Sequence, residues 1–147
     1  IMTVSEYIVM FQEEYSVSDM GIPSKGKDLK EVIDFLKKND YKYVYTNCSI
    51  QARIMFESKS EIIASSDRFI PMVYSHPDKE AAVKNAKKFA YVIYTKDPMF
   101  SLLSSRLLKA SVKYSFCKIG GFTVMYNLSR PARPGEILRY TSSRTRL

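Results

Sequence analysis

The chain is divided into short blocks in which the spacing of hydrophobic residues switches between that of a helix and that of a strand. From Leu29 to Leu36 the apolar positions recur every three or four residues, as on the buried face of an amphipathic helix. Residues 41–46 are instead rich in aromatic and β-branched side chains, which favour a strand. Continued along the chain, the pattern predicts helices at 24–38, 49–57, 77–86 and 98–108 and strands at 41–46, 61–65, 89–95, 113–119 and 122–128.

This alternation predicts parallel strand pairs joined by right-handed crossovers, with helices packed on the sheet. Residues 89–95 carry no charge, which is typical of a strand in the middle of a sheet that is covered on both faces. The last two strands are separated only by Gly120 and Gly121, and two glycines supply the positive φ angles of a tight hairpin. The sequence therefore predicts an α/β, three-layer sandwich with a mostly parallel sheet and a C-terminal antiparallel hairpin.

Composition and charge divide the chain into a body and a basic tail. The 147 residues are 46% hydrophobic and 26% charged, which suits one globular domain and excludes a disordered chain. The formal net charge is +8, and residues 128–147 hold five arginines against Glu136. We predict a lead-in segment over 1–23, an α/β domain over 24–128 and a Pro- and Arg-containing tail or linker over 129–147. Because the chain opens on Ile1, we expect it to be part of a longer protein.

The sequence lacks the motifs of nucleotide-dependent and nucleophilic enzymes. Thr46-Asn47-Cys48-Ser49 follows the first strand where a glycine-rich dinucleotide loop would stand, and no phosphate-binding P-loop occurs. His76 is the only histidine, and it lies beside a predicted helix start, where a capping role is the simpler interpretation. Two cysteines and one histidine make no metal set. We therefore predict no catalytic residue, no metal and no cofactor.

Polar side chains follow three of the predicted parallel strands. They are Thr46 and Asn47 after the first strand, Asp67 and Arg68 after the second, and Asp97 after the third. Ligands of open α/β sheets bind beyond the carboxyl ends of the strands, so these five residues form a candidate ligand-binding site. The alternative is that they cap helices and solvate turns.

Basic residues near the end of the chain offer a second candidate contact. Arg130, Arg133 and Arg139 could reach phosphate groups of lipid headgroups or of nucleic acid, or they could lie in a solvated linker. Residues 118–126 faintly resemble an RNA-recognition strand, but their glycines fall in the predicted turn and the element order differs from that fold. We therefore do not expect nucleic acid to be the partner.

Several short motifs, taken in order, resemble one family. They are the helix 29–36, Tyr43-Val44-Tyr45, Ala52 and Phe56, Glu61-Ile62-Ile63-Ala64, the strand 89–94, the helix 102–108, and the segment from Gly120 to Pro131. Together they resemble the C-terminal soluble domain of polytopic, lipid-phosphate-sugar-dependent glycosyltransferase-like membrane proteins, of the dolichyl-phosphate-mannose mannosyltransferase (GT-C) type. The resemblance covers roughly residues 24–136, and the Gly-Gly-Phe-Thr-Val and Leu-Ser-Arg-Pro parts of the last segment are its strongest portion.

The resemblance implies a non-catalytic accessory domain on the extracytoplasmic face of a membrane. The acidic residues that act in such proteins lie in loops between membrane helices, so none is carried over to this chain. Its partners would be the transmembrane portion of the parent protein and either lipid headgroups or a glycan acceptor. The alternatives that follow from the residues alone are a free-standing α/β module that binds a small ligand and, less favoured, a basic RNA-binding domain.

Overall fold

The computed structural model describes residues 23–66 and 77–138. Within these residues, helices and strands alternate as the hydrophobic pattern predicts, and the α/β fold class is confirmed. The helices are α1 (Pro23–Lys38), α2 (Cys48–Glu57), α3 (Pro77–Asn85), α4 (Met99–Lys109) and α5 (Pro134–Ile137). The strands are β1 (Tyr43–Thr46), β2 (Ile63–Ser65), β3 (Ala90–Tyr94), β4 (Ser115–Ile119) and β5 (Phe122–Tyr126). None of the described helices is long and apolar enough to cross a membrane.

The described strands form one mixed sheet in the order β2-β1-β3-β5-β4. β1 lies parallel to both β2 and β3, whereas β5 lies antiparallel to both β3 and β4. The sheet is thus mixed and not mostly parallel, because β5 inserts between β3 and β4. The burial of the two strands agrees with this order. The residues of β5 are almost all buried, which suits an inner position, whereas β4 alternates between partly buried and exposed residues, which suits an edge.

Two clusters of buried side chains lie on opposite faces of the sheet. Ile54 of α2 packs in the cluster that contains Val44, together with the apolar face of α1. Leu103 of α4 packs in the cluster that contains Tyr45, together with residues from α3 and α5. Since successive side chains of a strand point to opposite faces, neighbouring residues of β1 contribute to different clusters. The helices are therefore divided between the two faces, with α1 and α2 on one and α3, α4 and α5 on the other.

The chain after β5 returns to the sheet. Ala132, Ile137 and Leu138 are all buried in the second cluster. The hydroxyl of Tyr91 donates a hydrogen bond of 2.6 Å to the carbonyl oxygen of Ala132, and burial raises the pKa of this phenol far above its ordinary value. The packed body thus extends to Leu138, ten residues beyond the domain boundary predicted at 128, because apolar residues of the Pro-rich segment cover the sheet.

Candidate functional site

The carboxyl ends of the three parallel strands meet at one edge of the sheet. β1 ends at Thr46 and β3 at Tyr94, and the chain then enters α2 and α4, which lie on opposite faces. A crevice forms where adjacent parallel strands continue to opposite faces of a sheet, and ligands of open α/β folds bind at this topological switch point. The switch point of this protein therefore lies between the ends of β1 and β3.

Two of the residues predicted from the sequence meet at this switch point. The side-chain amide Nδ2 of Asn47 donates a hydrogen bond of 2.6 Å to Oδ2 of Asp97. The other carboxylate oxygen of Asp97, Oδ1, accepts a bond of 2.8 Å from the backbone N–H of Met99, which begins α4. Asn47 is the residue before α2, yet its side chain makes no capping bond to that helix. The Asn47 side chain is thus directed toward the residues that follow β3 instead of toward its own helix.

Buried polar atoms at this edge have unused hydrogen-bonding capacity. Among the described residues, the Oδ1 atom of Asn47 and the hydroxyl of Ser66 are buried and have no hydrogen-bond partner. A buried polar atom left without a partner costs about 1–3 kcal/mol, which marks these two atoms as places where a further hydrogen bond would be favourable. Thr46 ends β1 at the same edge, but its hydroxyl already donates to the carbonyl of Val92 at 2.7 Å. Thr46 therefore supports the strands and offers less to a ligand.

The sequence did not single out Thr123, which joins the same edge. Its hydroxyl lies 2.9 Å from the hydroxyl of Thr95, and the backbone N–H of Thr95 donates to the carbonyl of Gly121 at 2.8 Å. Thr123 pairs with Ile93 only because β5 lies antiparallel to β3. No local pattern around Thr123 indicates that pairing, so its place at the edge could not be found from spacing.

Four residues considered from the sequence, Asp67, Arg68, His76 and Arg139, lie outside the described residues. The part of the candidate site that they would form stays a prediction, as does the contact of Arg139 with phosphate groups.

The two described arginines of the predicted basic tail make contacts within the protein. Arg133 donates through Nε to the carbonyl of Lys84 and through Nη2 to that of Ala86, both at 2.6 Å. Arg130 forms an ion pair of 2.7 Å with Glu136. The guanidinium of Arg133 is therefore largely occupied by the end of α3, which leaves it few donors for a headgroup.

The described residues contain no cluster of side chains that could hold a metal ion. Burial raises the pKa of the Cys117 thiol, which lowers the fraction of reactive thiolate at neutral pH. No family model, curated protein or solved structure matches this chain significantly. The function must therefore be inferred from the geometry of the carboxyl edge.

Proposed function

We propose that this chain is an α/β module that binds a small polar ligand at the carboxyl ends of β1 and β3. The Asn47–Asp97 hydrogen bond supports the proposal, because it places an amide and a carboxylate together at the topological switch point. The unpartnered, buried Oδ1 of Asn47 adds a hydrogen-bond acceptor at the same place. The expectation of an accessory domain in a membrane glycosyltransferase-like protein stays a prediction.

The chemistry of these groups favours a ligand with several hydroxyl groups. An ionised carboxylate only accepts hydrogen bonds, whereas an amide both donates and accepts. A sugar or nucleoside hydroxyl can donate to the Asp97 carboxylate or to Asn47 Oδ1 and still accept from a neighbour. Asp97 also places a negative charge at the site, which disfavours a ligand whose phosphate would have to lie against it.

Amide chemical shifts in a titration test this proposal. The probes are glucose, adenosine and their phosphorylated forms, glucose 6-phosphate and adenosine monophosphate, added to the ¹⁵N-labelled chain. We expect at least one uncharged probe to give saturable shifts at the Asn47 side-chain amide and at the backbone of residues 95–99. Asp97→Asn should weaken that binding, and Asp34→Asn, a change of the same type at an exposed position on α1, should leave it unchanged.

Two results would overturn the proposal. The first is an absence of saturable shifts at Asn47 and Asp97 with all four probes. The second is equal affinity in Asp97→Asn and Asp34→Asn, measured under conditions where thermal unfolding shows that both variants are folded.

We also propose the finer architecture predicted from the sequence, a three-layer sandwich whose last two strands form a hairpin. Its support is the division of the helices between the two faces and the antiparallel pairing of Ile119 with Phe122 across Gly120 and Gly121.

A further inference from the structure

A cleft opens at the other end of the sheet, away from Asn47 and Asp97. Its volume is about 360 Å³, within the range of small-ligand pockets. It is lined by residue 41 before β1, residues 87–89 before β3 and residues 127–131 after β5. Because β5 is antiparallel to β3, the carboxyl end of β5 lies beside the amino ends of β1 and β3. The cleft is therefore built by three chain segments that the sheet brings together.

The wall of this cleft is held in place by hydrogen bonds between distant residues. The Tyr41 hydroxyl accepts a bond of 2.9 Å from the backbone N–H of Asn127 and lies 3.1 Å from Asn127 Oδ1, to which it donates. Asn127 has a φ of 52°, in the left-handed region. The Ser129 hydroxyl accepts a bond of 2.9 Å from the N–H of Lys113. These bonds fix one side of the cleft before any ligand arrives.

The charged residues lining the cleft are all cationic. They are Lys87, Lys88 and Arg130, and no carboxylate belongs to the lining. Glu136 offsets Arg130 through their ion pair at 2.7 Å. Two exposed lysine ammonium groups on adjacent residues therefore remain without a carboxylate partner among the described residues.

The cleft has hydrogen-bond donors that its own contacts leave available. Lys88 uses one of its three N–H groups on the carbonyl of Asn39 at 2.9 Å, and its ammonium lies 4.5 Å from the centre of the Tyr41 ring. No bond occupies the Lys87 ammonium among the described residues, and the Ser129 hydroxyl can still donate its own hydrogen. A group that fits several donors and two positive charges lining one cleft is an anion with several acceptor oxygens.

We propose that this cleft binds a small phosphate-bearing anion, a phosphate monoester or a diphosphate, through Lys87 and Lys88. Asn127 and Ser129 add neutral hydrogen bonds from the fixed wall. The site is separate from the carboxyl edge, and its ligand differs in charge from the hydroxyl-rich ligand proposed there. Neither site depends on the other.

Titration of the full chain with inorganic phosphate and with pyrophosphate tests this site, at constant ionic strength. We expect saturable amide shifts at residues 87–89 and 127–130, with pyrophosphate binding more tightly because it presents more charged oxygens. The double variant Lys87→Gln/Lys88→Gln should weaken pyrophosphate binding by about tenfold or more, which corresponds to about 1.4 kcal/mol. The control is Lys30→Gln/Lys118→Gln, which removes the same charge from exposed positions outside the cleft and should bind like the unaltered chain.

The proposal is overturned if neither probe gives saturable shifts at these residues, or if both double variants bind equally well. Thermal unfolding of each variant shows whether a loss of binding is a loss of folding. Vesicle binding distinguishes a lipid headgroup from a soluble phosphate. The site would be assigned to a lipid headgroup if the chain sedimented with phosphatidic acid vesicles but not with phosphatidylcholine vesicles, and if Lys87→Gln/Lys88→Gln abolished that sedimentation. Binding of the soluble probes without sedimentation would assign it to a soluble phosphate.

Discussion

Gly120 has a backbone conformation that side chains rarely adopt. Its φ is 55°, the only positive φ among the described glycines. A Cβ atom at this position would overlap the carboxyl group of Asp28, whereas one at Gly121 would meet nothing. Asp28 also accepts a hydrogen bond of 3.2 Å from the backbone N–H of Gly121. In a hairpin turn of this type, only the first of the two central residues has a positive φ, and that position requires glycine. The two glycines are therefore not equivalent.

We therefore expect Gly120→Ala to lower the free energy of unfolding by about 1–2 kcal/mol, the cost of placing a residue with a Cβ in the left-handed region. Gly121→Ala, the matched control, should change it by less than about 0.5 kcal/mol because no atom opposes its Cβ. Urea unfolding followed by circular dichroism measures both values. Equal losses in the two variants would contradict this account of the turn.

Asn47 and Asp97 show how far the sequence could predict the candidate site. Each follows a predicted parallel strand, and that position alone marked both as site residues. Their hydrogen bond joins residues 50 positions apart, so it depends on the pairing of β1 with β3 and on the start of α4. The hydrophobic periodicity of a single strand does not indicate which other strand it pairs with. The sequence therefore predicted the members of the pair and not the contact.

At the scale of elements, the carboxyl end of α3 is capped by a residue far along the chain. The last carbonyls of this helix and its C-terminal loop accept two hydrogen bonds of 2.6 Å from Arg133. The same guanidinium lies 5.6 Å from the centre of the Phe89 ring. A cation at this end of a helix also interacts favourably with the helix dipole. Arg133 thus stabilises the junction of α3 with β3.

We expect Arg133→Ala to lower the free energy of unfolding by about 2–3 kcal/mol, since hydrogen bonds to a charged group each contribute about 1.5–3 kcal/mol and this residue is partly exposed. Arg133→Lys should recover part of the loss, because an ammonium keeps the charge but lacks the planar fork.

The control for this change is Arg53→Ala, which removes an i,i+4 ion pair of 3.2 Å with Glu57 on α2. Its cost should be only about 0.2–0.5 kcal/mol. Chemical denaturation compares the two variants directly. If Arg133→Ala cost no more than Arg53→Ala, the capping contacts would not contribute to stability.

The order of elements followed from hydrophobic periodicity, but the sheet order did not. The uncharged run of β3 and the two glycines before β5 are local signals, and the structure has strands at both places. That β5 lies inside the sheet and β4 at its edge depends on which partner each strand finds across the fold. The alternation of partly buried and exposed residues in β4 is consistent with an edge, but it does not say beside which strand.

At the scale of the whole molecule, the two ends of the sheet carry polar side chains of different charge. The carboxyl ends of β1 and β3 carry the amide and carboxylate of Asn47 and Asp97. The amino ends carry the ammonium groups of Lys87 and Lys88. If both proposed sites bind, we expect them to select ligands of different charge, because one carries a carboxylate and the other ammonium groups.

The packed body of the molecule includes residues 132–138, the described apolar part of the segment that the sequence assigned to a tail. Proline and arginine in residues 130–134 are typical of a linker, and composition alone favours that interpretation. Ile137, however, is only 5% exposed and packs in the cluster that covers one face of the sheet. One apolar residue between prolines and two adjacent ones after them give no periodic signal, which is why the sequence did not predict their burial.

Replacement of Ile137 by alanine distinguishes a packed segment from a solvated linker. We expect Ile137→Ala to lower the free energy of unfolding by about 2–4 kcal/mol, through lost burial and the cavity left against the sheet. Leu108→Ala, at a position that is 77% exposed on α4, should cost less than about 0.5 kcal/mol. Urea unfolding of the full chain measures both. A solvated linker would make the two variants equal, whereas a difference of 2 kcal/mol or so would show that folding of the sheet and burial of the segment ending at Leu138 are coupled.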